Sequence, residues 1–137
     1  VLDSRRCISY LTIELKGAIP TELRPQMGNW IFGCDECQQV CPWTRRFAHI
    51  GRRGFLQCDP DDSAPRLLEL IGLNDTQFRV RFAGSPVLRS KRHGLLRNVA
   101  VALGNSRNPA AAPALRAAAR DANPLVREHA IWALERL

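Results

Sequence analysis

The run GCDECQQVCPW, residues 33–43, constrains this chain more than any other feature. Cys34, Cys37 and Cys41 stand in the spacing C-x2-C-x3-C, with Pro42 directly after. Two thiolates separated by two residues can wrap one corner of a metal centre and offer it backbone N–H groups. Three intervening residues and a proline turn the third thiolate away, so Cys41 is expected to point outward. The chain has five cysteines, an odd count. Its opening VLDSRRC has neither the apolar stretch nor the cleavage site of a secretory signal, so a disulfide framework is a poor reading and metal or redox chemistry a better one.

The spacing is the last three-quarters of the run C-x2-C-x2-C-x3-C-P found in bacterial ferredoxins, whose fourth cysteine serves the other cluster in two-cluster proteins. Where the first cysteine of that run would fall, this chain has Ile31. Another thiolate must complete the set, and Cys7 is the candidate. The alternative is a four-cysteine zinc site of Cys7, Cys34, Cys37 and Cys41, because zinc also takes C-x2-C pairs. Cys58, beside Asp59-Pro60, is expected to be a passive cysteine.

Around this run the chain reads as helical. Asp3 or Ser4 can cap a helix from Arg5 to about Leu15, stopped by Lys16-Gly17, and a second short helix is expected from Thr21. Residues 44–63 read as a basic, glycine-containing connector. Helices are then expected at 64–71 and 75–82, followed by longer ones from Pro86, Pro109 and Pro124, each opening on a proline at the first-turn position where a missing N–H costs nothing. The strings LLRNVAVALG, from Leu95, and LVREHAIWAL, from Leu125, echo each other at an offset of 30 or 31 residues. Small Ala at helix contacts and Leu in the core at that period is the pattern of a short HEAT-like solenoid, with an Ala-rich bundle as the alternative. Mainly α is therefore the expected fold class. The end of a ferredoxin-like cluster domain over residues 1–58 precedes a HEAT-like repeat domain over 59–137.

Charge points to an anionic partner. Twenty Lys and Arg against thirteen Asp and Glu give a net charge of +7. Between Thr76 and Arg120 there is no acidic residue, while Arg79, Arg81, Arg89, Lys91, Arg92, Arg97, Arg107, Arg116 and Arg120 are basic. Solvated faces normally mix signs, so this stretch is expected to meet phosphates. Arg89 and Arg92 share a helix face, with Arg97 one to two turns on, above a buried stripe of Leu95, Leu96, Val99 and Leu103. Lys16 and Tyr10 are weaker candidates, and His93 is a structural residue or a minor phosphate donor. Trp132 is expected in the core, whereas Trp30 and Trp43 should shield the cysteine loops from water. No run of about 18 apolar residues occurs, so no membrane span is expected, and the cytoplasm is the default address.

The strings LDSRRCISYLTIELKG (residues 2–17), GNWIFGCDECQQVCPW (28–43) and AGSPVLRSKRHGLLRNVAVALGN (83–105) closely resemble the C-terminal portion of epoxyqueuosine reductases. The resemblance implies a cobalamin-dependent reductase with two [4Fe-4S] clusters that removes the epoxide oxygen of epoxyqueuosine at the wobble position of tRNA. It implies that Cys7, Cys34 and Cys37 are three ligands of one cluster, completed from an upstream run, and that Cys41 serves the other. Ser9 and Asp35 become candidate cobalamin contacts, and Lys16, Arg89, Lys91, Arg92 and Arg97 candidate contacts to the tRNA anticodon stem-loop. The catalytic acid and the cobalamin domain would lie upstream. Val1 in place of an initiator Met also leads to the expectation of a longer protein, and this segment alone is not expected to catalyse. An external electron donor such as a flavodoxin or ferredoxin, and a monomer, complete the expectation. Two departures fall after Cys41: Thr44 stands where the family has Asn, and an extra Arg precedes Phe47.

Two other functions remain open at the level of sequence. One is a ferredoxin-type electron carrier, or another corrinoid reductase, whose repeats dock a protein. The other is a zinc-stabilised RNA-binding module without redox chemistry.

Overall fold

The computed structural model describes residues 3–47 and 66–137, and every regular element among them is helical. Cys58, the boundary at 58/59 and most of the expected connector lie outside the described residues. The connector's first residues do not form a loop: Pro42–Phe47 is a helix, α2, preceded by the short α1, Glu36–Gln39.

The first expected helix is broken at the cysteine it carries. Asp3 caps a 3-10 turn, Ser4–Arg6, by accepting the Arg5 N–H at 3.0 Å. Cys7 is then extended, at φ −71° and ψ 126°. The chain re-enters helix at Ile8 and widens into a π-helical stretch, Tyr10–Glu14, closed by Leu15 N–H donating to the Tyr10 carbonyl at 2.9 Å. Single π turns inside helices recur at functional sites. The helix expected from Thr21 is a 3-10 turn, Arg24–Met27, ended by Gly28 at φ 57°.

The rest is built from α3 (Leu67–Ile71), α4 (Asp75–Arg81), α5 (Lys91–Ser106), α6 (Ala112–Ala118) and α7 (Pro124–Leu134). Asn74 and Gln77 form a reciprocal capping box on α4, which satisfies two otherwise orphaned N–H groups. The helix expected from Pro86 divides into a 3-10 turn, Pro86–Ser90, and α5. Lys91 at the junction has φ 58° and ψ 166°, a conformation that costs a non-glycine residue about 1–3 kcal/mol.

α5 is not amphipathic: it is buried all round from Gly94 to Gly104. One side packs on α3, α4, α6 and α7 through Leu70, Phe78, Leu95, Leu96, Val99 and Leu115. Its opposite side carries Val101, which packs with Leu11, Ile19 and Met27 of the N-terminal segment. Trp132 packs against both clusters. The echo keeps both offsets: the buried Val126, His129, Ala130 and Ala133 of α7 fall opposite buried residues of α5 at 30 residues (Leu96, Val99, Ala100, Leu103) and at 31 (Leu95, Asn98, Val99, Ala102).

These two helices approach so closely that Gly104 is required. A Cβ there would lie 2.9 Å from Ala133 Cα and 3.0 Å from the Trp132 ring. Gly104→Ala should therefore destabilise the protein by about 1–3 kcal/mol from overpacking, against a helix-propensity gain of at most about 1 kcal/mol. Gly94→Ala is the control, because its Cβ would meet only Ser90 Cβ, at 3.6 Å. Thermal unfolding should show a lower Tm for the first and an equal or higher one for the second; equal behaviour of the two would discard the close approach.

Polar groups stitch the N-terminal segment to the repeats. Arg97, 1% exposed, donates to the carbonyls of Leu11, Leu15 and Gly17 at 2.6–2.8 Å and to Asn98 Oδ1 at 3.0 Å. Arg24, 3% exposed, donates to the Ile19 carbonyl, pairs with Glu128 and lies over the Trp132 ring. His129 Nε2 accepts the Ile19 N–H at 3.1 Å, and its Nδ1 lies 2.8 Å from the Leu125 carbonyl. The accepting role of Nε2 assigns the proton to Nδ1.

Candidate cluster site and its basic flank

The cysteine loop is fastened at successive residues to the helix that follows Cys7. Asn98 Nδ2 donates to the carbonyls of Thr12 and Ile31 at 2.8 and 2.9 Å. Thr12 Oγ1 donates to the Ile8 carbonyl at 2.8 Å and accepts the Gly33 N–H at 3.0 Å. Ser9 Oγ donates to the Cys34 carbonyl at 3.0 Å. Gly33, directly before Cys34 in this strap, sits at φ 74°, in the left-handed region that a side chain disfavours.

Cys7, Cys34, Cys37 and Cys41 are all free thiols, half-buried except for the exposed Cys37. Cys41 stands at the start of α2, where the Thr44 N–H, the Thr44 hydroxyl and the Trp43 N–H, in that order, hold its thiol below the ordinary value. Thr44, which the sequence presented only as a departure from the family, is thus a partner of a candidate ligand. Among the described residues no three His, Cys, Asp or Glu side chains converge where one metal ion would sit. A cubane binds each thiolate through a separate iron, so its ligands stand apart, whereas a zinc site gathers them on one ion. Free cysteine thiolates are soft donors of the kind that suits an iron–sulfur cluster.

Ser9 and Asp35 have partners of their own. Ser9 holds the Cys34 carbonyl, and Asp35 Oδ1 accepts the Gln38 amide at 2.7 Å. Trp30 and Trp43 do not shield the loop within this chain: they are 38% and 72% exposed, and Trp43 stacks on Phe47 with ring centroids 5.5 Å apart. Trp132 is half-buried against both cores, between the guanidinium groups of Arg24 and Arg136.

The basic flank differs from the expectation in two residues. Arg97 is inside, spent on carbonyls, and cannot reach a phosphate. Burial pulls its guanidinium down to about 10, which still leaves it charged at neutral pH. Arg92 donates to the Leu73 carbonyl at 2.6 Å and pairs with Asp121, both side chains being largely covered. That pair holds the Asp121 carboxyl below the usual carboxylate range. Arg89 is exposed and bonded to Glu14 at 2.8 Å, and Lys16 and Lys91 are exposed. His93 is held below its ordinary value first by burial, then by Lys91 and Arg97, with Lys16 adding to the effect. Lys16, Lys91 and His93 therefore share one neighbourhood that spans the N-terminal segment and α5.

Residues 1–44 match the family of 4Fe-4S double cluster binding domains, and residues 85–137 match HEAT repeats. A double-cluster iron–sulfur segment seated on a helical-repeat unit is the class of protein that fold and site define. Over 138 residues the chain is 51% identical to the epoxyqueuosine reductase of Pseudomonas aeruginosa, with 98% of the chain and 37% of that relative covered. With the epoxyqueuosine reductase of Escherichia coli it shares 44% over 133 residues, covering 97% of the chain and 35% of the relative. It superposes with a TM-score of 0.86 on a crystal structure of epoxyqueuosine reductase with a tRNA-Tyr epoxyqueuosine-modified tRNA stem loop, at 31% identity and covering 98% of this chain and 36% of that one. The corresponding figures for epoxyqueuosine reductase from Streptococcus thermophilus are 0.84, 32%, 99% and 35%. The chain belongs to the epoxyqueuosine reductase family and corresponds to its C-terminal part. It spans little more than a third of the length of the relatives it matches.

Proposed function

We propose that this chain is the cluster-and-docking portion of an epoxyqueuosine reductase: Cys7, Cys34 and Cys37 hold one [4Fe-4S] cluster, Cys41 contributes to a second, and the exposed cations Lys16, Arg89 and Lys91 hold the tRNA anticodon stem-loop. The observation that carries this reading is the division of the thiols. Cys34 belongs to the strap hydrogen-bonded to the helix after Cys7, whereas Cys41 opens α2 under its own N–H donors. When bound, the clusters would supply one-electron relay and cobalamin would supply reducing chemistry for the epoxide. The chain's own residues hold thiolates at set positions, keep backbone donors near them, and present cations to RNA. A flavodoxin or ferredoxin is the donor class suited to such a relay. For Ser9 and Asp35 the corrin reading stands on family resemblance alone.

In the full-length protein, Cys41→Ala should damage a different cluster from Cys7→Ala, Cys34→Ala or Cys37→Ala. Iron content and electron paramagnetic resonance distinguish them, and loss of the same cluster in all four variants would discard the crossover. The RNA side has a separate test. Lys16, Arg89 and Lys91 changed together to Gln should make the slope of log tRNA affinity against log salt shallower by roughly 2–3 units. Arg92→Gln should instead lower stability, and an unchanged slope in the triple variant would mean that these cations are only solvated.

A further inference from the structure

Asn98 is completely buried on α5, in the middle of the repeat unit, yet its amide serves the cysteine strap. Arg97 Nε donates to Asn98 Oδ1, which fixes the orientation of the amide so that both its N–H groups face carbonyls, those of Thr12 and Ile31. Thr12 is equally buried, and its hydroxyl receives the Gly33 N–H one residue before Cys34. The strap is therefore gripped at Ile31 by α5 itself, and at Gly33 and Cys34 by the helix that α5 holds.

We propose that Asn98 and Thr12 are positioning residues for the Cys34 thiolate, so that the HEAT-type helix sets the geometry of the cluster from outside the cluster-binding sequence. This inference rests on the reading of Cys34 as a cluster ligand. Partners one step removed from a metal ligand fix its direction and the hydrogen bonds around it, and their loss characteristically weakens metal retention about 10- to 100-fold. A residue that merely filled the core would lower stability when changed but leave the cluster's own properties alone.

Three variants of the full-length holoprotein test this. Thr12→Val keeps the branched shape and removes the hydroxyl, Thr12→Ser restores it, and Asn98→Ala removes the grip on Ile31. Cys34→Ala reports independently on whether Cys34 binds a cluster at all. Thr12→Val and Asn98→Ala should each release iron from the Cys34 cluster to a chelator about 10- to 100-fold faster and alter that cluster's paramagnetic signal. The signal of the cluster served by Cys41 should be unchanged, and Thr12→Ser should behave as the parent. If Asn98→Ala fails to fold, the Thr12 pair decides alone. Thr12→Val with reduced stability but the parent's signal and iron-release rate would overturn the proposal. Loss of no cluster in Cys34→Ala would overturn the ligand reading instead.

Discussion

Arg97→Met should destabilise the protein by about 3–5 kcal/mol, although it deletes a charge from a strongly basic chain. An exposed cation in an acid-free stretch would give nearly no change when removed. Arg97 instead closes three carbonyls, the buried one of Leu11 and the part-buried ones of Leu15 and Gly17, that lie 80 to 86 residues away in sequence. Methionine fills much of the volume but donates nothing, so those carbonyls lose their partners at about 1–3 kcal/mol each, less whatever water recovers. The loss should be local first, with Lys16 becoming a site of rapid tryptic cleavage before the repeats unfold. A denaturant midpoint equal to the parent's, with Lys16 still protected, would show that the carbonyls are satisfied in some other way.

Acid should undo the same interface through His129. Burial is the leading cause that pulls this imidazole down to about 4, with Arg24 and Arg97 adding to it and the Leu125 carbonyl and Glu128 opposing. An unfolded histidine titrates near about 6.5, so between those values the unfolded chain binds more protons than the folded one. Stability is then fully present above about pH 6.5 and is lost as pH falls towards 4, by about 3 kcal/mol. A proton on Nε2 would face the Ile19 N–H, donor against donor. His129→Gln should flatten the dependence of unfolding free energy on pH in this window; the same slope in parent and variant would remove His129 as its source.

Local signals in the sequence marked most elements. Prolines at 86, 109 and 124 open helical turns, and α4 falls within one residue of the expected span. The break at Cys7 and the π-helical stretch after it were not legible, because Thr12 and Asn98 shape that segment by bonds to distant strands of chain. The basic face differs from the expectation at Arg92 and Arg97 for a related reason. The acid-free stretch ends at Arg120, yet the next residue, Asp121, folds back onto Arg92, and Glu14 reaches Arg89 from the N-terminal segment. A field of one sign along the sequence is not of one sign in space. The acid-free stretch also places Arg97 among the phosphate-facing cations, since nothing local announces that three carbonyls await it.

The long-range bonds have a consequence for the order in which the protein is made. Ile19 closes on His129, 110 residues later, and Arg24 on Glu128, 104 residues later. During synthesis the N-terminal segment has no surface to close on until α5 and then α7 have left the ribosome. The loop that carries Cys34 is thus translated early but secured late, after the repeats have formed. Contacts of such separation slow folding, and an early, loosely held thiol loop is exposed to oxidation in the interval. Cluster loading before α5 emerges would act on an unfastened strap, so the helix that carries Asn98 serves as a timing element for the Cys34 loop.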